Sequence, residues 1–408
     1  MSEWKKVKLG EICERVTSGG TPKANVSSYY NPPTIPWLKT KEVNYCRITE
    51  TENYISEEGL KNSSAKLISP NSVIIAMYGQ GDTAGRIAIN KIPLATNQAC
   101  CNLTIDKSKA DYEFIYYQLC TLYDKLVSLK AGAAQPNLNA RIIKNLEIIM
   151  PSLPIQHRIA SILSRYDSLI ENYQKQIKLL EEAAQRLYKE WFVDLRFPGH
   201  ENTMIVDGVP EGWEKKKISD VCTMIGAGST PSRRNNAYWD DGNIRWVKTK
   251  ELLDNWIFDT EEYITEEGLN NSSTKMFPVN TILMAIYASP TLGRLGILAQ
   301  ECCCNQAALG LVANEKLISW VWLYLKLFEL RDEFNAVARG AGQQNISGVV
   351  VKNWEITVPN KKTIEDFAKM AKPYFENAKS LQSQLRLLTE ARDRLLPKLM
   401  SGEINVES

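Results

Sequence analysis

The sequence repeats itself, and this limits the possible folds more than any single motif does. Trp37-Leu38-Lys39-Thr40-Lys41-Glu42 returns 209 positions later as Trp246-Val247-Lys248-Thr249-Lys250-Glu251. At the same offset Thr21-Pro22 becomes Thr230-Pro231, and Tyr54-Ile55-Ser56-Glu57-Glu58-Gly59-Leu60 becomes Tyr263-Ile264-Thr265-Glu266-Glu267-Gly268-Leu269. After Tyr78 and Tyr287 the offset drops to 208. Gly85-Arg86 then answers Gly293-Arg294, and Asn97-Gln98-Ala99 answers Asn305-Gln306-Ala307. Further on, Gly132-Ala133 with Gln135 and Asn137 answers Gly340-Ala341 with Gln343 and Asn345. Matches this numerous, interrupted by one shift of frame, mean two homologous halves. The architecture must be one that is built twice.

Each half reads as two parts. Residues 1–150 and 210–359 mix short β-rich runs, such as Ser72–Tyr78 and Thr281–Tyr287, with Gly, Pro and Asn turns and a helical stretch near 110–130. That is an α+β pattern. The rest is helical: a spacer over 151–195, a linker over 196–209, and a second spacer over 360–400 ahead of a tail, 401–408. In the first spacer Ile155, Ile159, Ile162, Tyr166, Leu169, Tyr173, Ile177, Leu180, Ala184, Leu187 and Trp191 recur at steps of three and four. This is heptad spacing with one stutter. The second keeps the register at Phe367, Met370, Tyr374, Leu381, Leu385, Leu388, Leu395 and Leu399, with Asn377 and Arg392 interrupting it. Pro373 is expected to kink or restart this helix.

A helix over 155–191 spans about 55 Å at 1.5 Å per residue. Its apolar seam must be covered, either by its own globular domain or by the other long helix. Pairing is the expectation, because both copies keep the seam and the stutter. The linker is too short to return along such a rod, so the helices are expected to run antiparallel, with a domain at each end and an approximate two-fold axis within one polypeptide.

Composition removes several other classes. A chain that is 44% hydrophobic and 24% charged is ordinary for a globular protein. No uncharged apolar run approaches the ~18 residues of a membrane span. The opening MSEWKKVKLGEI lacks the apolar core of an export signal, which gives the expectation of a cytoplasmic protein. Nine cysteines include Cys100-Cys101 and Cys302-Cys303-Cys304, without CxxC spacing and with only His157 and His200 as further soft ligands. Buried strand thiols are expected, rather than disulfides or a metal site.

In this plan the chain resembles, along its whole length, the specificity subunit of type I restriction-modification systems. The resemblance rests on the duplicated globular-plus-helix plan and on Trp191-Phe192 followed by Arg196-Phe197-Pro198-Gly199. Pro210-Glu211-Gly212-Trp213, opening the second half, completes it. It implies two target-recognition domains separated by two long antiparallel coiled-coil helices, each domain reading one half of a split double-stranded DNA site. It also implies docking of two modification subunits, which carry S-adenosylmethionine and methylate adenine, and through the complex a translocating restriction subunit. The chain itself is then expected to be non-catalytic and to hold no cofactor or metal. Asn31-Pro32-Pro33-Thr34 comes close to the Asn-Pro-Pro-aromatic motif of adenine methyltransferases, but Thr34 cannot stack on a flipped base. The second half reads Asp240-Asp241-Gly242-Asn243 instead, and no nucleophile–base constellation is present.

Half-sites on one face of B-DNA lie about 34–36 Å apart per helical turn, a separation compatible with a rod of this length. Charge supports DNA binding poorly: residues 1–150 sum to +4 and 208–360 to −3. The phosphate grip must be local or shared with partners. The alternative from another class is a coiled-coil scaffold that binds proteins.

Residues shared by domains that read different bases are expected to touch phosphate or form scaffold. These are Thr21 and Thr230, Lys39-Thr40-Lys41 and Lys248-Thr249-Lys250, and Arg86 and Arg294, with Arg86 suited to a guanine edge or a phosphate. Gln135 and Asn137, and Gln343 and Asn345, lie in Gln/Asn-rich loops whose amides suit bidentate adenine contact. Gly81 belongs to a glycine-rich loop, Gly79–Arg86, whose counterpart has lost most of its glycines. Base readers are expected in the divergent segments: Tyr45, Arg47, Arg233, Arg234 and Asn255. Tyr188, Trp191 and Phe192, near a helix end, are expected to help dock the modification subunits.

Overall fold

The computed structural model describes residues 4–131, 137–287, 291–340 and 345–406. They form two compact units, Met1–Ile170 with Leu388–Ser408, and Glu171–Leu387. Each unit holds one globular domain and a stretch of each long helix.

The central sheet of the first domain has the strand order Cys13–Ser18, Cys100–Ile105, Val73–Ala76, Ile87–Asn90, Cys46–Ile48. All its neighbours pair antiparallel except the last two, which are parallel. The second domain repeats the sheet as Cys222–Ala227, Ala308–Ala313, Ile282–Ala285, Leu295–Leu298, Asn255–Ile257, again with a parallel final pair. Strand alternation explains the apolar runs. Val73 and Ile75 face the core shared with Phe114 and the first long helix, while Ile74 and Ala76 face a separate cluster with Leu38 and Cys100. A strand covered on both faces has no polar position left, so Val73–Ala76 is buried throughout.

The cysteine runs fall where this pattern places them. Cys100, Cys101, Cys302, Cys303 and Cys304 are buried free thiols. Burial pushes Cys101, Cys302 and Cys303 up to about 12. Among the described residues no group of His, Cys, Asp and Glu is placed to hold a metal ion, and no helix is long and apolar enough to cross a membrane.

The long helices are Leu153–Tyr188, which ends in a wider π turn over Lys189–Val193, and Lys361–Met400. Pro373 does not restart the second helix. One carbonyl loses its backbone donor there, while buried Ala371 and Phe375 hold the turns on either side. In the first unit Ile155, Ile159 and Leu163 pack with Leu399 and Met400, and Asp167 meets Arg392. In the second, Trp191 and Tyr188 meet Phe367, and Leu180 lines one cavity with Asn377 and Leu381. Rising numbers on one helix face falling numbers on the other, so the pairing within each unit is antiparallel.

The expected seam is out of frame over one stretch of each helix. The buried positions are Leu163, Asp167 and Ile170, not Ile162, Tyr166 and Leu169. Their repeat mates Ala371, Phe375 and Ala378 are buried in the second helix, where Met370 is exposed. Over this stretch each helix packs on its own domain and meets the other helix as well, as Leu163 and Asp167 meet Leu399 and Arg392. Both ways of covering the seam are used.

Candidate nucleic-acid interface

Residues shared by the two halves meet at one corner of each domain. The Trp37 indole N–H donates to the Gly20 carbonyl (3.1 Å) and the Trp246 indole to that of Ser229 (2.9 Å). Asn97 N–H donates to the Leu38 carbonyl (2.9 Å), and Asn305 N–H to that of Val247 (3.0 Å). The Thr21 hydroxyl donates to the Gln98 amide oxygen, and Thr230 repeats this with Gln306 at 2.5 Å. The loop lies so close to the neighbouring strand that a Cβ on Gly19 would stand 2.1 Å from the Thr96 carbonyl oxygen. On Gly228 it would stand 2.0 Å from that of Cys304. Gln98 and Gln306 stand in the sequence only as a repeat match, and that recurrence alongside Thr21 and Thr230 is the signal for them as partners of the threonines.

The lysine triplets share a second device. Glu42 accepts from the backbone N–H groups of Lys39 (3.0 Å) and Glu52 (2.9 Å). Glu251 does the same for Lys248 (2.6 Å) and Glu261 (2.9 Å). A shared carboxylate thus staples the shared loop to the end of a divergent segment. Thr40 and Thr249 each open a single 3-10 turn and are half-buried. The cations do not stand alone. Lys39 donates to the Asn53 amide oxygen (2.9 Å), Lys41 pairs with Glu52, and Lys250 with Glu261 at 2.5 Å. Lys248 lies 2.9 Å from Glu262 and 3.0 Å from Glu261. Hydrogen bonds from Lys250 and Lys248 hold Glu261 below the usual carboxylate range. Exposed pairs of this kind are weak because water screens them, which leaves a phosphate able to compete for the lysines.

Other candidates are placed differently. Arg86 and Arg294 are half-buried and close matching turns, in which their N–H groups donate to Thr83 (3.1 Å) and Thr291 (2.9 Å). Gly85 and Gly293 precede them at φ of +91° and +79°, a region that favours glycine. Gly81 is exposed at φ +57°. Asn137 and Asn345 are exposed and flank buried Leu138 and Ile346, whose N–H groups donate to the Met77 (3.3 Å) and Ile286 (2.9 Å) carbonyls. Gln135 and Gln343 lie outside the described residues. Arg234 is exposed. Arg233, also exposed, stacks on Trp239 and pairs with Glu262.

Two expectations need correction. Arg47 does not face outward. Its guanidinium and the Asp167 carboxylate are 7% and 8% exposed and 2.9 Å apart. Tyr117 donates to the same carboxylate oxygen (2.5 Å), and Arg392 takes the other one (2.9 Å). Arg47 is thereby the seat of its domain on the helices, because a charge removed from water needs partners of this quality. Tyr188 and Trp191 are buried as well, and half-buried Phe192 stacks within 4.8 Å of Phe367 and 5.9 Å of Trp213. The Tyr188 hydroxyl donates to Glu329 (2.6 Å). These three belong to the core of the second unit, where the π turn sets Trp191 and Phe192 together against Phe367.

A chain that builds one α+β domain twice, with the same loop frame around divergent segments, is a duplicated recognition protein. The family model for the type I restriction modification DNA specificity domain matches it at residues 1–182 and again at 210–386. The chain belongs to that family. It is 29% identical over 418 aligned positions to the type I restriction enzyme MjaIX specificity subunit of Methanocaldococcus jannaschii, covering 99% of this chain and 94% of that one. It is 23% identical to the HindI specificity subunit of Haemophilus influenzae, with 99% and 100% covered. The crystal structure of the type I restriction-modification S subunit from M. genitalium shares the fold, with a TM-score of 0.67 at 15% identity over 98% of this chain and 96% of that one.

Proposed function

We propose that this chain reads an asymmetric, bipartite DNA site for a type I restriction-modification complex, one domain per half-site. The observation that carries this reading is the division of labour within the repeat. Trp37, Glu42, Gln98 and their mates form one frame, while the segments they hold, 43–53 and 252–262, differ in sequence. A duplicated frame with divergent inserts suits two different half-sites; a scaffold that binds one partner twice would have no use for the divergence.

In this reading the chain performs no chemistry. Methyl transfer belongs to two modification subunits that bring S-adenosylmethionine, and cleavage belongs to restriction subunits recruited through the complex. Thr21, Lys39, Lys41 and their mates contact phosphate, supported by their gathering at one corner of each domain, where Thr21, Lys41 and Lys250 are exposed and Lys39, Thr230 and Lys248 half-buried. The modest charge of the domains leaves part of the phosphate grip to the partners. Arg47 is left out of the interface, and Tyr188, Trp191 and Phe192 out of the docking surface.

Adenine methylation of host DNA, mapped by single-molecule sequencing with and without this gene, tests the proposal. The expected result is loss of methylation at one bipartite motif, one half per strand. An unchanged methylome beside an active partner methylase would refute it.

A further inference from the structure

Within the frame shared by the two domains, one corner carries a side-chain assembly that only the second domain has. The Arg233 guanidinium carbon lies 3.5 Å from the centre of the Trp239 ring and 5.1 Å from that of Trp246. Trp239 is fixed in turn: it stands edge-on to Trp246 (5.0 Å, 88°), and its indole N–H donates to the Ser232 carbonyl (3.2 Å). One carboxylate, Glu262, holds two cations. One of its oxygens accepts from Arg233 Nη2 at 2.5 Å and the other from Lys248 Nζ at 2.9 Å. The repeat mates of Arg233, Trp239 and Glu262 are Ala24, Tyr30 and Asn53. The first domain keeps the lysine, Lys39 on Asn53, but has no guanidinium here.

The indole face fixes the plane of the guanidinium, and Glu262 fixes its rotation within that plane. The Arg233 side chain is still 51% exposed, so its remaining N–H donors point outward from a held platform. A phosphate can be held by a point charge, as lysine holds it, without a fixed plane. A base edge needs both. The guanidinium fork matches the O6 and N7 acceptors of guanine in the major groove, and no other base offers two acceptors side by side there. Ordering the side chain before binding also removes most of the entropy lost in forming such a contact. Arg234, the adjacent exposed arginine, has neither ring nor carboxylate among its contacts here and suits a phosphate.

We propose that Arg233 reads a guanine in the half-site of the second domain, with Glu262 and Trp239 as positioning residues. This rests on the reading of the chain as a DNA-specificity subunit. The test is methylation of a randomised duplex library by the full chain purified with its co-expressed modification subunit, scored position by position. Arg233→Ala should relax one G·C position in one half-site, lowering discrimination there about 5- to 150-fold, with the other half-site unchanged. Arg233→Lys, which keeps the charge and loses the fork, should relax the same position. Glu262→Gln should relax it in part. An even loss across all sequences would make Arg233 a phosphate contact, and an unchanged motif would make it scaffold; either overturns the proposal. A wild-type complex that methylates no defined motif would instead overturn the specificity reading beneath it.

Discussion

Asp167→Asn tests the account of how the first domain is seated. The substitution keeps the shape and removes the charge from a site where Asp167 accepts from Arg47, Tyr117 and Arg392 at 2.9, 2.5 and 2.9 Å. Breaking a buried pair by removing one partner costs about 3–5 kcal/mol, since the remaining ion is uncompensated. Both arginines retain a second carboxylate: Glu113 stands 3.7 Å from Arg47, and Asp393 2.8 Å from Arg392. The lower end, ~3 kcal/mol, therefore applies. For a unit of this size that lowers Tm by ~6–12 °C, measurable by calorimetry as a shift in the transition of the first unit. The second unit provides the compensating variant. By repeat register, Trp256, Leu325, Phe375 and Ala184 stand where the first has Arg47, Tyr117, Asp167 and Arg392, and there Trp256 and Phe375 each meet Trp320 at 5.4 Å. Arg47→Trp, Tyr117→Leu, Asp167→Phe and Arg392→Ala together should restore most of what Asp167→Asn alone loses, because a well-packed apolar set often replaces a buried ionic one without loss. A loss under 1 kcal/mol for Asp167→Asn, or a combined variant less stable than the single one, would refute the reasoning.

Three further outcomes follow from burial. Trp191→Ala should destabilise the second unit by about 3–5 kcal/mol; unchanged thermal stability with lost co-elution of the modification subunit would return Trp191 to a docking role. Burial, reinforced by the Asp254 carboxylate, pushes Glu181 from 4.5 up to about 7, so the fold binds the extra proton between those values and loses stability as pH rises through them. Glu181→Gln should therefore raise Tm relative to the parent more at pH 8 than at pH 5, and an equal difference at both would exclude the linkage. Cys100, Cys101, Cys302, Cys303 and Cys304 should react with a thiol reagent only on unfolding; prompt labelling of any of them in the native protein would contradict their burial.

The duplication, the α+β composition of the domains, the antiparallel helix pairing and the fate of the cysteine runs were all legible from the sequence. Each follows from repetition or from apolar pattern, which a linear text preserves. The frame of the helix seam was not. Counting apolar side chains favours Tyr166, Leu169, Met370 and Tyr374, yet the positions that face the domains hold Asp167 and Ile170 in one copy and Ala371, Phe375 and Ala378 in the other. A carboxylate and alanines are invisible to a hydrophobic count. The first is buried only because two arginines from distant segments meet it, and the others because their smallness admits close packing. Arg47 was misplaced for the same reason, since its partner lies 120 positions away.

Position in the repeat separates the two kinds of residue better than chemistry does. Where the halves agree, as at Trp37, Glu42 and Gln98, the structure shows hydrogen bonds that hold the loop frame. Where they disagree, two different things have changed. One is the exposed surface, with Arg233, Trp239 and Glu262 against Ala24, Tyr30 and Asn53. The other is the seat on the helices, with Arg47, Asp167 and Arg392 against Trp256, Phe375 and Ala184. These changes have opposite consequences for an exchanged domain. A new exposed surface alters what the domain reads and leaves its stability alone. A new seat sets Arg47 against Phe375 and Ala184 and takes away the Asp167 carboxylate, leaving it the more distant Glu113 of its own domain. Domain exchange in this chain therefore requires the seat residues of the helices to move with the domain.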